Sequence, residues 1–217
     1  MAPAIRLRSA VALLGRFPAL AGVDLDVQRG EIVLAQGPNG ASKTSLLRAC
    51  AGLLAITDGE AEVLGHDLRK ERRRVRRQVG FLAHDGHLYD DLTVDDNVRF
   101  AVRAAGADTA RIEPTLELLG LAGRLRTVAA GKLSTGQKRR AALATVVARD
   151  PELWLLDEPH AGLDAAARDL LDDIVRQAAA RGATVLLASH DADRAEALAG
   201  RIVHLAGGEV KEPVRVA

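Results

Sequence analysis

Glu31-Ile32-Val33-Leu34-Ala35-Gln36-Gly37-Pro38-Asn39-Gly40-Ala41-Ser42-Lys43-Thr44-Ser45 decides the reading of this chain. Its first half, Glu31 to Ala35, is an apolar β-branched run that reads as a buried strand. The second half is rich in glycine and opens a helix over Lys43–Leu54, with Leu46, Leu47 and Cys50 on its apolar side. Strand, glycine loop, helix is the context that a phosphate-binding loop requires. Glycines let backbone N–H groups curl around phosphate oxygens, and the helix N-terminus adds favourable polarity. Gly37, Pro38, Asn39, Gly40, Ala41, Ser42, Lys43, Thr44 and Ser45 are therefore candidate nucleotide ligands. Lys43 is placed to neutralise β- and γ-phosphates, and the Thr44 hydroxyl to meet Mg²⁺. One position departs from the pattern: glycine is expected immediately before the lysine, and Ser42 stands there. Its Cβ narrows the backbone conformations available and fills space beside the phosphates. By itself the segment also reads as an ordinary glycine-rich turn before a helix.

Outward from that loop, β-branched runs alternate with helical patterns, which predicts an α/β fold with parallel strands. Ile5–Leu14 and Val23–Val27 read as early strands joined by a turn at Gly15-Arg16-Phe17-Pro18. Thr57-Asp58-Gly59-Glu60 reads as a turn, followed by a short strand through Val63 and Leu64. Val79–Leu82 is another short strand. From Thr93, a plausible N-cap, to about Gly131 the pattern is helical, with breaks at Gly106, Gly120 and Gly123. Leu153–Asp157 and Thr184–Ser189 are apolar strands joined by a helix from Asp164 to Ala180, and Ile202–Leu205 opens a closing hairpin through Gly207-Gly208.

Three further segments carry chemistry. Leu153-Trp154-Leu155-Leu156-Asp157-Glu158-Pro159 sets two carboxylates at the C-terminal end of a buried strand, the edge at which α/β sheets bind ligands. Asp157 is suited to hold a Mg²⁺ water shell, and Glu158 to act as general base or to position water. The plain alternative is a strand that ends in a solvated acidic turn. Leu133-Ser134-Thr135-Gly136-Gln137 precedes a helix carrying Lys138, Arg139 and Arg140. Ser134 and Gln137 fit a capping box, and the same N-terminus, with Gly136 allowing close approach, fits a γ-phosphate. His190 follows the strand Thr184–Ser189, where it could bond a γ-phosphate or orient water; a lone histidine is otherwise a surface residue.

The order of Gly37–Ser45, Leu133–Gln137, Leu155–Pro159 and Ser189-His190 resembles that of the nucleotide-binding subunits of ABC transporters, over essentially the whole chain. The resemblance implies one domain over residues 1–217: a P-loop core with a mostly parallel sheet, an N-terminal antiparallel β part and a helical signature subdomain over approximately 87–150. It places Ser134 and Gly136 in the signature motif, and His160 to Asp164 in the D-loop, with Asp164 beside the nucleotide. It implies ATP and Mg²⁺ as ligands, and an ATPase. It further implies a homodimer, or pairing with another ATPase subunit of the class, and a transmembrane permease that holds the chain on the cytoplasmic face of the cell membrane. Where the family usually has glutamine after the Val79–Leu82 strand, this chain has His84, the candidate link between Mg²⁺, attacking water and permease. Phe17 is the candidate for stacking on adenine, with Leu14 as the other occupant of that place. His84 and the run Leu92–Phe100 are similar to the haem-exporting ATPases of cytochrome c maturation, and the short chain agrees.

Composition bounds the rest. Hydrophobic residues at 48% and charged residues at 27% describe a globular chain, and a formal net charge of +1 gives no reason to expect a nucleic-acid partner. Cys50 is the single cysteine, so no internal disulfide can form and a reducing compartment is expected. Arg6 and Arg8 interrupt the first apolar stretch, which does not read as a signal peptide, and no apolar run reaches the roughly 20 residues of a membrane helix. The basic run Arg69–Arg77 reads as a solvated helical face, or as a contact for anionic lipid or a partner's loops. Two functional readings remain beside each other: a working transport ATPase, and a nucleotide-binding subunit whose hydrolysis Ser42 impairs. A soluble protein of DNA repair or translation is disfavoured by the single cassette and the short span from phosphate loop to signature.

Overall fold

The computed structural model describes residues 2–215. Met1, Val216 and Ala217 of the expected 1–217 domain lie outside the described residues. Two sheets organise the chain. The first is antiparallel, in the order β2-β1-β4-β5, built from β1 (Ile5–Leu14), β2 (Phe17–Val27), β4 (Ile56–Val63) and β5 (His66–Asp67). The second runs β10-β9-β3-β8-β7-β6. Its strands are β3 (Ile32–Gln36), β6 (Val79–Leu82), β7 (Leu153–Asp157), β8 (Thr184–Ala188), β9 (Arg201–Ala206) and β10 (Glu209–Arg215). All neighbours in it are parallel except β10, which returns antiparallel along β9. β7 and β8 are buried at every residue, as expected of central strands covered on both faces.

One face of this sheet packs on helices. These are α3 (Val94–Ala105), α4 (Ile112–Leu118), α5 (Thr135–Val147) and α6 (Ala165–Ala180), through Trp154, Leu156, Val185 and Leu187. The other face packs on α1 (Lys43–Cys50) and the antiparallel sheet, through Leu153, Leu155, Leu186 and Val203. Strand periodicity explains the split, because alternate side chains of one strand enter opposite cores. Thr93 caps α3 by accepting the Asp96 N–H at 3.1 Å, and Gly106 ends that helix in the left-handed conformation.

Several expectations need correction. Thr57–Glu60 is not a turn but the middle of β4. Its turn-type residues serve a bulge: the β1–β4 register shifts between Arg8 and Val11, and a Cβ on Gly59 would lie 2.2 Å from the Ser9 carbonyl oxygen. Phe17 and Pro18 belong to β2, leaving Gly15 and Arg16 as the hairpin turn. The first helix ends at Cys50 rather than Leu54. The basic run includes α2 (Arg72–Gln78), with only Val75 buried, so it is a largely solvated helical face. A last helix, α7 (Ala192–Leu198), carried too weak an apolar pattern to be read. No helix among the described residues is long and apolar enough to cross a membrane.

Candidate functional site

The register of the larger sheet brings its chemistry to one edge. Ala35 of β3 and Asp157 of β7 both pair with Ala188 of β8, and Leu82 of β6 pairs with Leu156. The Gly37–Ser45 loop, His84, the Asp157-Glu158 pair and His190 therefore all leave the C-terminal ends of neighbouring strands. A groove of about 500 Å³ opens there, lined among others by Phe17, Asn39, Lys43, Thr44, His84 and Glu158. Leu14 lines it as well; it is paired with Phe17 across the β1–β2 turn, so both adenine candidates sit at the same place. Both are exposed.

The loop is held open by backbone geometry. Gly37 is required by packing, since a Cβ there would lie 2.3 Å from the Leu205 carbonyl oxygen. Ser42 has φ 75° and ψ 19°, the left-handed conformation that glycine takes at no cost and serine at about 1–2 kcal/mol. Its side chain makes no capping hydrogen bond, so the first N–H groups of α1 remain available to an anion. The Lys43 ammonium donates to the carbonyls of Gly37 at 2.7 Å and Pro38 at 3.1 Å, folded over the loop it would share with a phosphate.

The Thr44 hydroxyl donates to an Asp157 carboxylate oxygen at 2.8 Å. Burial pushes the Asp157 carboxyl above its ordinary range and Glu158 adds to this, while the Thr44 hydroxyl, His84 and Arg139 oppose it. A buried carboxylate beside a hydroxyl, both hard oxygen donors, suits Mg²⁺. Among the described residues no cluster of three or more His, Cys, Asp or Glu could hold a metal alone.

Glu158 has φ 49°, a strained conformation for a non-glycine residue that persists only where its surroundings over-determine it. Here its N–H donates to the Ala188 carbonyl at 2.8 Å, its carbonyl accepts from Arg139, and its carboxylate accepts the His190 N–H at 3.1 Å. The His190 imidazole Nδ1 lies 2.7 Å from the same carboxylate oxygen. Carboxylate and imidazole thus form a pair at the groove's edge, with the carboxylate largely buried and the imidazole exposed.

Ser134, Gly136, Gln137 and Asp164 stand elsewhere. Ser134 and Gln137 complete a capping box at the start of α5: the Gln137 N–H donates to Ser134 Oγ at 3.3 Å, and the Ser134 N–H to Gln137 Oε1 at 2.9 Å. The side-chain oxygen of Gln137 is therefore already engaged. Gly136 faces the D-loop, where a Cβ would sit 3.2 Å from the Gly162 carbonyl oxygen. Asp164 caps α6 by accepting the Ala167 N–H at 2.9 Å. The site residues thus fall into two sets, one around the groove and one on the signature face.

Two arrangements escaped the sequence reading. His160 Nε2 meets Asp172 at 2.7 Å in the interior, and Arg194 donates to the same carboxylate at 2.6 Å, tying the D-loop to α6 and α7. Arg139 is buried and donates only to backbone carbonyls at the ends of β6 and β7. Its position in the apolar stripe of α5, with Ala142, Leu143 and Val146 at helical spacing, is the signal that marks it as interior.

A glycine loop entering a helix, a buried carboxylate joined to the loop's threonine, and a second carboxylate held by histidine define a P-loop nucleotide-binding domain. Residues 20–161 match the ABC transporter family model. The chain is 42% identical over 188 residues to a cytochrome c biogenesis ATP-binding export protein, CcmA, of Bordetella bronchiseptica, covering 85% of this chain and 83% of that one. It is 37% identical over 217 residues to a sulfate/thiosulfate import ATP-binding protein, CysA 2, of Rhizobium meliloti, of which it spans 59%. Its fold superposes with a TM-score of 0.89 on a dimeric ATP-binding cassette in a post-hydrolysis state bound to ADP and Pi, at 26% identity over 98% of this chain and 99% of that one. The chain belongs to the ABC transporter family, as an ATP-binding subunit that is an ATPase.

Proposed function

We propose that the chain works as a transport motor in which each ATP is held between the groove of one copy and the signature face of a second. Residues 1–217 act as one domain, with the helices of 87–150 as the arm that carries Ser134 and Gly136. Lys43, Thr44 and the loop N–H groups bind the phosphates. Phe17 or Leu14 lies against adenine. Thr44 and Asp157 hold Mg²⁺, which when bound neutralises charge on the phosphate oxygens. Glu158 orients the attacking water and accepts its proton, and the Glu158–His190 pair keeps that carboxylate aimed at the groove. Water oxygen bonds to the γ-phosphorus as the bond to the bridging oxygen breaks, leaving ADP and phosphate. His84 at the groove mouth relays the state of the site to a permease, which places the chain on the cytoplasmic face of the membrane.

The observation that carries this reading is the joined pair of contacts, Thr44 to Asp157 and His190 to Glu158, on adjacent strand ends. Steady-state MgATP hydrolysis tests it. Glu158→Gln is expected to lower kcat by about 10²–10⁴-fold with nucleotide still bound, because a general base contributes that range. Turnover of Glu158→Gln within threefold of the parent overturns the assignment.

Haem export for cytochrome c maturation is the cargo reading we favour, supported by the CcmA relatives that match at 37–42% identity over most of both chains. Import relatives match nearly as well, so the discriminating test is genetic. Expression with its permease in cells lacking their own exporter subunit is expected to restore covalent haem on c-type cytochromes. Normal ATPase activity without that restoration removes the cargo reading and leaves the motor.

A further inference from the structure

The Arg139 guanidinium has five N–H donors, and each finds a backbone carbonyl. Nη1 donates to Ala83 at 2.7 Å and His84 at 3.1 Å. Nη2 donates to Asp157 at 2.8 Å and Glu158 at 2.5 Å, and Nε reaches Pro159 at 3.4 Å. No carboxylate takes its charge directly, and burial lowers its pKa from the ordinary arginine value. A buried, unpaired guanidinium is an expensive way to fill space, since an apolar side chain of similar volume avoids the desolvation. What the guanidinium supplies is geometry. Its carbonyl partners are the residues at which His84, Asp157 and Glu158 leave the ends of β6 and β7.

Two further facts give that geometry a use. Glu158 sits at φ 49°, so contacts on its peptide groups set where its carboxylate points. Arg139 also lies in α5, five residues after the N-cap Ser134, a rise of about 7–8 Å along one rigid helix. A shift at the signature end of α5 reaches the Glu158 and His84 carbonyls through a single side chain.

We propose that Arg139 is a positioning residue for ATP hydrolysis, a clamp that fixes the backbone of Glu158 and His84 to the signature helix. This rests on the role given to Glu158. The two fail separately: Glu158→Gln with undiminished turnover removes the base, whereas the clamp fails on Arg139 variants with Glu158 intact, or on a double variant once Glu158→Gln alone has lowered turnover.

The experiment is MgATP turnover by the full chain, with the affinity of a non-hydrolysable ATP analogue measured alongside. Arg139→Gln should lower kcat by about 10²-fold, the scale of a misplacement of roughly 1 Å, with KM and analogue affinity within about threefold. Arg139→Lys, with three donors for the five carbonyls, should recover part of that loss. Arg140→Gln, whose parent side chain holds the Leu119 carbonyl instead, should stay within about twofold of wild type. In a Glu158→Gln background, adding Arg139→Gln should cost less than about twofold more, because a clamp acting through Glu158 has nothing left to aim. The proposal is overturned if Arg139→Gln keeps kcat within threefold. It is equally overturned if kcat and nucleotide affinity fall together, or if the losses multiply in the double variant. Should Arg139→Gln fail to fold, Arg139→Lys decides by the same split between kcat and affinity.

Discussion

The phosphate groove and the signature face both present a helix N-terminus, and they finish it in opposite ways. At α1 the cap residue, Ser42, gives no side-chain hydrogen bond and stands in the left-handed conformation at the end of the glycine loop. At α5 a complete capping box bonds the end from within, and Gly136 lies against the D-loop. The first end has no side-chain cap; the second has the Ser134 and Gln137 N–H groups bonded from within, which leaves those of Thr135 and Gly136 to a ligand. In the motor proposed above, that contrast makes one copy the holder of the phosphates and the signature face of a second copy the part that closes on them.

Breaking the second region while sparing the first should give the largest effect. Gly136→Asp adds a Cβ 3.2 Å from the Gly162 carbonyl oxygen and a carboxylate on the face opposed to phosphate. Turnover should fall by about 10²-fold, with nucleotide affinity of the isolated chain changed by less than threefold. Mixing this variant with Lys43→Ala should restore part of the activity, since one of the two composite sites then keeps both intact halves. Two inactive variants that stay inactive on mixing would show that the sites are not shared between copies.

The same contrast marks what could be read from residues alone. The groove was legible because its parts are contiguous: a strand, a loop and a helix start within Glu31–Ser45, and two carboxylates at one strand end. The clamp was not, because the Arg139 partners lie 18 to 56 residues away and are carbonyls, which leave no mark on side-chain identity. Thr57–Glu60 failed for a related reason. Turn-type residues announce a positive φ, and only the close approach of Gly59 to Ser9 at the β1–β4 register shift shows that a bulge, not a turn, uses it. The buried His160–Asp172–Arg194 group is equally nonlocal, assembled from a loop and two helices.

Asp157→Asn separates the groove's stability from its function. The carboxyl of Asp157 is raised by burial, so between its ordinary value of 3.8 and the raised value the folded chain binds the extra proton. Stability from this group is therefore present at low pH and is lost as pH rises through that window. Asparagine takes away the charge whose burial raises that pKa, with Thr44 still finding an acceptor. The expected result is a Tm at pH 7 equal to or above the parent's without Mg²⁺, and no stabilisation by MgATP beyond that given by ATP alone. A lowered Tm with MgATP stabilisation intact would mean that the carboxylate is structural and holds no cation.

Ser42→Gly should give the smallest change, and its direction decides what the unusual residue does. A serine at φ 75° costs about 1–2 kcal/mol, and glycine removes that. Glycine also widens the unfolded ensemble, returning about 0.4–1 kcal/mol of the gain. The net is a stabilisation between about 0 and 1.6 kcal/mol, a Tm rise of at most about 6 °C for a chain of this size. Turnover should change by less than about threefold, because the loop already holds the conformation that glycine would take and Ser42 makes no side-chain cap bond for glycine to remove. A tenfold rise in turnover with the same small Tm shift would locate the effect in the serine side chain beside the phosphates. The chain would then be a motor held back at α1, not one limited by closure at α5.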